Sequence, residues 1–321
     1  MNAKTRFSPT IFIAVAFCAI ACITPIVVLG RAPRTPDGLL AGQFEAVWSQ
    51  HGISNGCLKT PRAMVTDDQG EIYIVDKTAR IQVFDRHGKF LRGWQTPEYY
   101  RGKPTGLSFD NDGNLMVADT HYYRILFYTP EGKLLNEKTL GGNLGQKQGE
   151  FGLVTDAVVD SKGNIYVSEY GEFDRIQKFD ASGKFIKQWG GHGTQPGQFM
   201  RPQNMAIDDQ DNIWVVDACN HRIQVFDNEG NLIKLWGTKG ESPGELSYPY
   251  DLLLVDKHIY VCEFGNHRIQ KMTLDGECVG VWGTQGREEG ELFNPWSLAR
   301  DSAGKIHVLD TYNHRVQRIR L

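Results

Sequence analysis

One stretch of sequence decides the fold: Pro202-Gln203-Asn204-Met205-Ala206-Ile207-Asp208, then Asn212-Ile213-Trp214-Val215-Val216-Asp217, then Asn220-His221-Arg222-Ile223-Gln224-Val225-Phe226-Asp227, then Leu232 to Gly237. Its four short runs are rich in Val, Ile, Phe and Trp and are bounded by Gly, Asp or Asn turns, which predicts four β-strands. The same pattern is written six times along the chain. Its recurring acid is spaced by 43, 50, 48, 46 and 47 residues, at Asp76, Asp119, Glu169, Asp217, Glu263 and Asp310.

Four strands at a period of about 45 residues are typical of one blade of a β-propeller. A single blade cannot bury both faces of its sheet, so six blades are expected to pack around an axis. The last repeat stops after its third strand at Leu321, and the segment Gln43–Trp48 has the pattern of the missing fourth strand. The sequence therefore predicts an all-β, six-bladed β-propeller closed by an N-terminal strand.

The outer strand of the repeat ends in Trp-Gly. The N-terminal strand is expected to place Trp48 where the other blades have Trp94, Trp189, Trp236 and Trp282. The second blade departs from this pattern, because Leu140-Gly141 replaces Trp-Gly. We interpret this departure as local repacking.

Three loops carry a more specific signature, Asn220-His221-Arg222-Ile223-Gln224, Asn266-His267-Arg268-Ile269-Gln270 and Asn313-His314-Arg315-Val316-Gln317. They resemble the signature of the NHL-repeat family, and the resemblance covers about residues 43–321. It implies a six-bladed β-propeller, here expected to be of a bacterial, membrane-anchored type. Members of this family include protein- and RNA-binding modules, extracellular sensor domains of bacterial kinases and a peptide-amidating lyase, so the fold does not decide the function. The sequence shows no clustered histidine set onto which the metal site of that lyase could be carried.

The N-terminus divides into a short tail (1–10), an uncharged segment (11–30) and a linker (31–42) before the propeller (43–321). The run from Ile11 to Leu29 is broken only by Thr24 and Pro25 and is long enough to cross a bilayer, which predicts a transmembrane anchor. The alternative is a signal segment that is cleaved after Ala19-Ile20-Ala21, which would give a secreted protein with Cys22 as its first, lipid-bearing residue. Both interpretations place the propeller outside the cytoplasm, in the periplasm or at the cell surface.

The charge of the chain argues against a nucleic-acid partner. The formal net charge is −3, and residues 38–321 alone carry 31 basic and 37 acidic residues, a charge of −6. Binding to phosphates requires a concentrated basic surface. A nucleic-acid ligand is therefore not expected.

The recurring acid is followed four to six residues later by an arginine, and this spacing predicts a charge-assisted clasp across the loop between the second and third strands of each blade. Because the pair recurs in every repeat, we expect it to be structural. The pairs are Asp76 with Arg80, Asp119 with Arg124, Glu169 with Arg175, Asp217 with Arg222, Glu263 with Arg268, and Asp310 with Arg315.

Histidines and cysteines give no strong metal or redox signal. Equivalent loops of different blades carry His121, His221, His267 and His314. Ligands on separate blades lie too far apart to share one ion, so we expect these histidines to pack the loops. The cysteines of the propeller lack paired spacing and are expected to be small packed thiols, although a Cys219–Cys262 bridge between neighbouring blades stays open at this stage.

Function is expected where equivalent positions of the repeat differ, and the start of each innermost strand is the most variable place. There, three consecutive blades offer oxygen atoms from Asp156, Asn204 and Asp251, which is the hypothesis of a site for Ca²⁺ or another divalent cation. The same place also provides a cation and two aromatic rings, Arg62, Tyr250 and Trp296. Rim positions in the neighbouring loops are Tyr170, Phe264 and Tyr312.

Two functions follow from this mouth of the central channel. The first is a binding or scaffold module that holds a protein, peptide or glycan, since aromatics and arginine are the usual anchors of such surfaces. The second is a metal-assisted lyase or hydrolase of the amidating-lyase type, for which the sequence identifies no catalytic base or nucleophile. A mouth that only binds channel water is the remaining alternative. Binding is favoured over catalysis.

Overall fold

Each repeat folds into one four-stranded antiparallel sheet, as its alternation of apolar runs and tight turns dictates. The computed structural model describes residues 38–321. In chain order, the strands of this part are β1 (Leu40–Ala41), β2 (Gln43–Trp48), β3 (Pro61–Thr66), β4 (Ile72–Asp76), β5 (Arg80–Phe84), β6 (Phe90–Gln95), β7 (Gly106–Phe109), β8 (Leu115–Asp119), β9 (Arg124–Tyr128), β10 (Leu140–Gly141), β11 (Leu153–Val159), β12 (Ile165–Tyr170), β13 (Arg175–Phe179), β14 (Phe185–Gly190), β15 (Pro202–Ile207), β16 (Ile213–Asp217), β17 (Arg222–Phe226), β18 (Leu232–Trp236), β19 (Pro249–Val255), β20 (His258–Glu263), β21 (Arg268–Thr273), β22 (Cys278–Trp282), β23 (Ser297–Arg300), β24 (Ile306–Asp310) and β25 (Arg315–Arg320).

These strands form six sheets, and the innermost strand of each sheet contacts the innermost strands of its two neighbours. Blades one to five are β3–β6, β7–β10, β11–β14, β15–β18 and β19–β22. Blade six has the order β2-β25-β24-β23, and its inner strand β23 packs against β3 of blade one. The predicted six-bladed ring, closed by Gln43–Trp48, is therefore confirmed.

Short 3-10 turns lie at Thr120–Tyr122, Asn136–Lys138, Ala218–Asn220 and Thr311–Asn313. No helix within residues 38–321 combines the length and the apolar character needed to cross a bilayer. The predicted tail (1–10) and transmembrane or signal segment (11–30) lie outside the described residues, as does the linker up to residue 37.

The closing strand β2 pairs antiparallel with β25, with Gln43 opposite Arg320 and Trp48 opposite Val316. The indole of Trp48 packs on Gly88 in the outer hairpin of blade one, so closely that a Cβ on Gly88 would lie 2.4 Å from the indole. The indole also lies 5.0 Å from the ring of Phe84, measured between centroids. This contact holds the two ends of the ring together.

The same contact recurs between successive blades. Trp94, Trp189 and Trp236 each pack on the hairpin glycine of the next blade, which is Gly132, Gly230 and Gly276 respectively. The positive φ of these glycines and the closeness of the indole exclude a side chain there. The Trp and the turn Gly of the repeat are therefore two halves of one interblade contact.

Blade five has an additional strand that the sequence pattern did not reveal. Residues Leu40 and Ala41, which the sequence assigned to the linker, pair parallel with Gly280 and Val281 at the outer edge of β22. The indole of Trp282 packs on the next residue, Gly42. A Cβ on Gly42 would lie only 2.6 Å from this indole. Because blade six has no outer hairpin of its own, Gly42 supplies the glycine that such a hairpin would provide.

The clasps form in all six blades, and blade four shows their full pattern. Arg222 Nε donates to Asp217 Oδ2 at 2.7 Å, and its other nitrogens donate to three carbonyl oxygens of the loop 194–198. Asn220 and Gln224 also donate to Asp217 Oδ2, at 2.8 and 3.1 Å. The buried carboxylate thus orders both its own loop and the loop that enters the blade.

The other five acids are also fully buried, and each accepts from its arginine. The nitrogen–oxygen distances are 2.6 Å for Arg80–Asp76, 2.8 Å for Arg124–Asp119, 2.6 Å for Arg175–Glu169, 2.7 Å for Arg268–Glu263 and 2.7 Å for Arg315–Asp310.

The signature histidines bind the next blade. Their Nδ1 atoms accept from backbone N–H groups, His221 from Tyr248 at 3.0 Å and His267 from Asn294 at 2.9 Å. His314 accepts from Thr60 at 2.9 Å and so joins blade six to blade one. These three histidines are structural acceptors between blades, which agrees with the expected loop packing.

Around the channel, polar side chains of the inner strands bind the backbone of the following blade. Asp156 Oδ2 accepts from the N–H of Met205 at 3.0 Å, and Asp251 Oδ2 accepts from the N–H of Leu298 at 2.7 Å. Ser297 Oγ accepts from the N–H of Met64 at 3.2 Å. We call this set the channel belt, and it explains why the second position of the inner strand is polar in these blades.

Trp48→Ala should destabilise the protein by at least about 2 kcal/mol, since it removes a large half-buried ring and leaves a cavity over Gly88. Urea unfolding followed by circular dichroism measures the change. Tyr100→Ala is the matched control, because the Tyr100 side chain is 89% exposed. Equal stability of the two variants would contradict closure of the ring by β2.

The channel belt also predicts that the stability of the folded protein depends on pH. Burial raises the pKa of Asp251 from 3.8 to about 7. The folded state therefore binds this proton more tightly than the unfolded state, and stability is lost as the pH rises from about 4 to about 7. We expect the stability of the parent minus that of Asp251→Asn to fall by roughly 2–4 kcal/mol across this range.

Urea unfolding at several pH values measures this difference, and the exposed Asp68→Asn is the control. A difference between parent and Asp251→Asn that stays constant from pH 4 to pH 8 would show that Asp251 titrates at its ordinary pKa.

Candidate functional site

The candidate site is one mouth of the central channel, where the starts of the inner strands meet the loops between second and third strands. Six residues that the sequence predicted for the mouth and rim lie together there, joined by a seventh, Arg201. We call these residues the mouth cluster: Arg62, Tyr170, Arg201, Tyr250, Phe264, Trp296 and Tyr312.

Four of the five aromatic rings of the mouth cluster form a packed group. Tyr250 stacks on Phe264 with 4.4 Å between centroids and 23° between planes. Trp296 meets Tyr250 edge-on at 4.7 Å, and Tyr312 lies 6.1 Å from Phe264. Such offset and edge-on pairs are the favoured aromatic geometries, so the wall that they form is rigid.

Both arginines lie over these rings. The guanidinium carbon of Arg62 is 5.0 Å from the ring centroid of Trp296. That of Arg201 is 5.0 Å from Tyr170 and 5.3 Å from Tyr250. Cation–π contacts of this kind fix the orientation of a guanidinium while its N–H groups stay available.

The two guanidinium groups have no acidic partner within residues 38–321. Neither arginine forms an ion pair there, and the Nε atom of Arg62 is buried without a hydrogen-bond acceptor. Arg201 Nε donates only to the neutral amide of Gln203, at 3.2 Å. The arginines of the clasps, in contrast, each bind a carboxylate. The mouth therefore carries positive charge that the surrounding protein does not neutralise.

The electrostatics of neighbouring groups agree with this charge. Burial lowers the pKa of Arg62, and the positive charge of Arg201 lowers it further, while Tyr170 and Tyr312 act in the opposite direction. His121 has its pKa lowered by burial and then by the charges of Arg62 and Lys103. Although the propeller is acidic overall, its channel mouth carries local positive charge.

The three residues predicted as metal ligands have other roles. Asp156 and Asp251 belong to the channel belt, and Asn204 Nδ2 donates to Asp156 Oδ2 at 3.2 Å. Asn204 and Asp251 line a small cavity together with Arg62, Tyr250 and Trp296, and its volume of about 10 Å³ has room for about one water molecule. Among residues 38–321 no three His, Cys, Asp or Glu side chains are grouped so that they could hold a metal ion. These contacts give Asp156, Asn204 and Asp251 a place in the interblade hydrogen bonds.

One oxygen of the belt is unusual. Asp156 Oδ1 is buried and has no hydrogen-bond partner. Burial raises the pKa of Asp156 well above its ordinary value, and the nearby Asp251 raises it further. Burial therefore favours the neutral form of this carboxyl group.

Sequence reasoning missed Arg201. This residue precedes Pro202 in a left-handed conformation with φ 61°, as Thr60, Tyr248 and Asn294 do in other blades with φ 50°, 44° and 50°. The repeat is recognised by its prolines, and the positions compared between blades begin after them, so the residue before each proline was not compared. The available signal was chemical, because Arg201 is the one basic residue among these four.

The cysteines contribute no bridge to the site. Cys57, Cys219, Cys262 and Cys278 are all free thiols, so the open Cys219–Cys262 pairing does not form. Cys262 is fully buried in blade five. Burial raises the pKa of the Cys219 thiol, which keeps it protonated at neutral pH.

Comparisons with known proteins place the chain among propellers of this repeat type. Peptidylglycine alpha-amidating monooxygenase of Rattus norvegicus is 30% identical over 184 residues, which are 55% of this chain and 18% of that protein. A probable peptidyl-alpha-hydroxyglycine alpha-amidating lyase of Caenorhabditis elegans is 28% identical over 147 residues, 44% of this chain and 41% of that protein. Protein brain tumor of Drosophila melanogaster is 26% identical over 117 residues, 36% of this chain and 10% of that protein. The chain thus spans less than half the length of each of these relatives.

Solved structures show the same fold at low identity. A streptogramin B lyase superposes with a TM-score of 0.61 at 14% identity, covering 87% of this chain and 98% of that chain. The NHL repeat family matches residues 199–226 and 294–319, which hold the third strands of blades four and six and their signature loops. The chain therefore contains NHL repeats, and they build a six-bladed β-propeller.

Proposed function

We propose that the protein is a binding module whose channel mouth holds the carboxylate end of a peptide. The observation that carries this proposal is the pair of guanidinium groups of Arg62 and Arg201, which lie on aromatic rings and bind no carboxylate among the described residues. The one carboxylate at Arg201, that of Asp174, accepts from its backbone N–H at 2.9 Å. A guanidinium binds a carboxylate through two parallel hydrogen bonds. A peptide carboxylate would therefore supply the anionic partner that the two guanidinium groups lack.

The aromatic wall supports a peptide as the rest of the ligand. Tyr250 and Trp296 are largely buried beside the arginines, whereas Tyr312 is 42% exposed at the rim. Rigid aromatics with arginine are the usual anchors of binding surfaces, and capture of a terminal carboxylate is a recurring mode of peptide recognition. Relatives of this chain are named for action on peptidylglycine and peptidyl-alpha-hydroxyglycine. These names support a peptide over a glycan.

We also propose that the propeller works outside the cytoplasm and is held at a membrane by residues 11–30. The support is the sequence alone: this segment is uncharged and long enough to span a bilayer. Its topology would expose the channel mouth to peptides of the periplasm or the cell exterior.

A second candidate function is a lyase that acts on a peptidyl-α-hydroxyglycine. The names of the amidating relatives favour it, and in the mouth the phenol of Tyr170 lies against Arg201 and interacts with Arg62. The reaction would break the bond between nitrogen and the hydroxylated carbon, leaving a peptide amide and glyoxylate. In this mechanism Tyr170 transfers the proton of the substrate hydroxyl group to the departing amide nitrogen, and the arginines hold the carboxylate of the substrate.

The binding proposal predicts a strong dependence on the peptide C-terminus. A short peptide that ends in Phe with a free carboxylate should bind the full-length chain at least about 10-fold more tightly than the same peptide with a C-terminal amide. Arg62→Met and Arg201→Met should each remove most of this preference, because each leaves the carboxylate with one guanidinium. Isothermal titration calorimetry measures the affinities.

Arg300→Met is the matched control, since Arg300 is an exposed arginine at the end of β23. It should leave the preference for the acid unchanged. Equal affinity for acid and amide, or loss of the preference in the Arg300 variant as well, would overturn the proposal.

The lyase candidate predicts that the protein forms a peptide amide. Incubation with a peptidyl-α-hydroxyglycine should release the peptide amide, and Tyr170→Phe should lower kcat by about 100-fold while changing KM little. Mass spectrometry of the reaction mixture measures the amide. Tyr100→Phe, a change at an exposed tyrosine, is the control. Absence of amide above the uncatalysed level would reject the lyase and leave the binding proposal standing.

A further inference from the structure

A second cavity lies far from the mouth, at the outer rim between blades two and three. Its volume is about 620 Å³, within the range of about 300–1,000 Å³ that small-molecule sites show. We call it the interblade pocket. Its walls include Phe127, Leu140, Val159, Ile165 and Ala181, and charged groups such as Lys138 and Lys162 line its edge.

The pocket lies at the place where the repeat pattern is broken. At all five other junctions of the ring an indole packs on a glycine of the following blade, and at this junction Leu140 faces Gly183 instead. A Cβ on Gly183 would lie 2.8 Å from Leu140 Cδ2, so the glycine surface is retained although the indole is gone. The missing ring leaves part of the junction empty.

The junction between blades four and five shows what fills this volume where the tryptophan is present. There, Trp236 packs in one cluster with Val225, Leu254, Ile259 and Leu274. By strand register these positions correspond to Leu140, Phe127, Val159, Ile165 and Ala181 of the pocket. Three of the five residues are smaller in the pocket (Leu for Trp, Val for Leu and Ala for Leu), and one, Phe127 for Val225, is larger.

The backbone of blade two enlarges the opening. In blade two, Leu134 pairs with Tyr128 and Leu140 pairs with Ile125, so the two outer-strand positions are six residues apart. In blade four the equivalent positions, Leu232 and Trp236, are only four residues apart. The extra length forms the 3-10 turn Asn136–Lys138, and Glu137, Lys138 and Thr139 line the pocket. The segment before Leu140 therefore borders the opening and takes no part in the regular outer strand.

The charged residues at the edge of the pocket nearly cancel. Lys138 Nζ lies 3.1 Å from Asp110 Oδ2 and 2.9 Å from Asp112 Oδ2, and with Glu137 and Lys162 the edge sums to a formal charge of −1. The apolar side chains of the wall lie where each of the five other junction clusters holds an indole. We infer that the interblade pocket binds a neutral, planar aromatic group of indole size, which takes the place of the absent tryptophan.

The test uses the full-length chain with free indole as the probe, followed by ligand-observed NMR. We expect saturable binding with a Kd of about 1 mM or lower. Leu140→Trp restores the side chain of the other junctions and should weaken indole binding at least 10-fold while raising the melting temperature. Leu144→Trp, at a leucine that is 61% exposed, is the control and should bind indole like the parent.

Ala181→Trp provides an independent variant, because residue 181 is exposed in the outer hairpin of blade three and a large ring there would cover the opening. It too should lose indole binding. N-acetyl-tryptophanamide serves as a second probe: binding equal to that of indole indicates a peptide tryptophan as the ligand, and weaker binding indicates a free aromatic molecule. No saturable binding to the parent, or equal indole binding by the parent and Leu140→Trp, overturns the inference.

Discussion

The ring depends on one contact, an indole that packs on a backbone without a side chain. Each of five tryptophans reaches across a junction to a glycine of the following blade, and the last of these junctions uses Gly42, which precedes the closing strand. Burial of a large ring against a glycine joins two sheets that could not bury both faces alone. Trp48 makes this contact between the last and first blades. The ring is therefore closed by the same tryptophan–glycine contact that joins other pairs of blades.

The periodicity of the sequence was sufficient to predict everything that recurs. Blade number, the closing strand, Trp48 and the six acid–arginine pairs all follow from a pattern repeated six times, because repeated packing demands repeated residues. The two-residue strand β1 could not be predicted in this way, since it occurs once and pairs parallel to an edge. Gly42 was missed for the same reason: its partner Trp282 is distant in sequence, and no hairpin marks it as a turn.

The candidate site was predictable in composition and only partly in role. Arg62, Tyr250 and Trp296 were found because they differ between equivalent positions, and the structure brings them together. Asp156 and Asp251 were found by the same rule, yet they bind backbone N–H groups of the next blade. Sequence cannot distinguish these outcomes, because an oxygen at the channel serves a cation or an N–H group equally well. Only the distance to the neighbouring inner strand decides.

Departures from a repeat are informative only when the rest of the contact is known. The comparison at the channel mouth is with the clasp arginines: each clasp guanidinium binds a buried carboxylate, and the guanidinium groups of Arg62 and Arg201 bind none among the described residues. At the outer rim, the Trp–Gly contact sets the standard, and Leu140 fails to complete it although Gly183 is present. In both places one half of a two-part interaction is kept and the other half is absent. These two incomplete interactions are the structural basis of the two ligand sites that we propose.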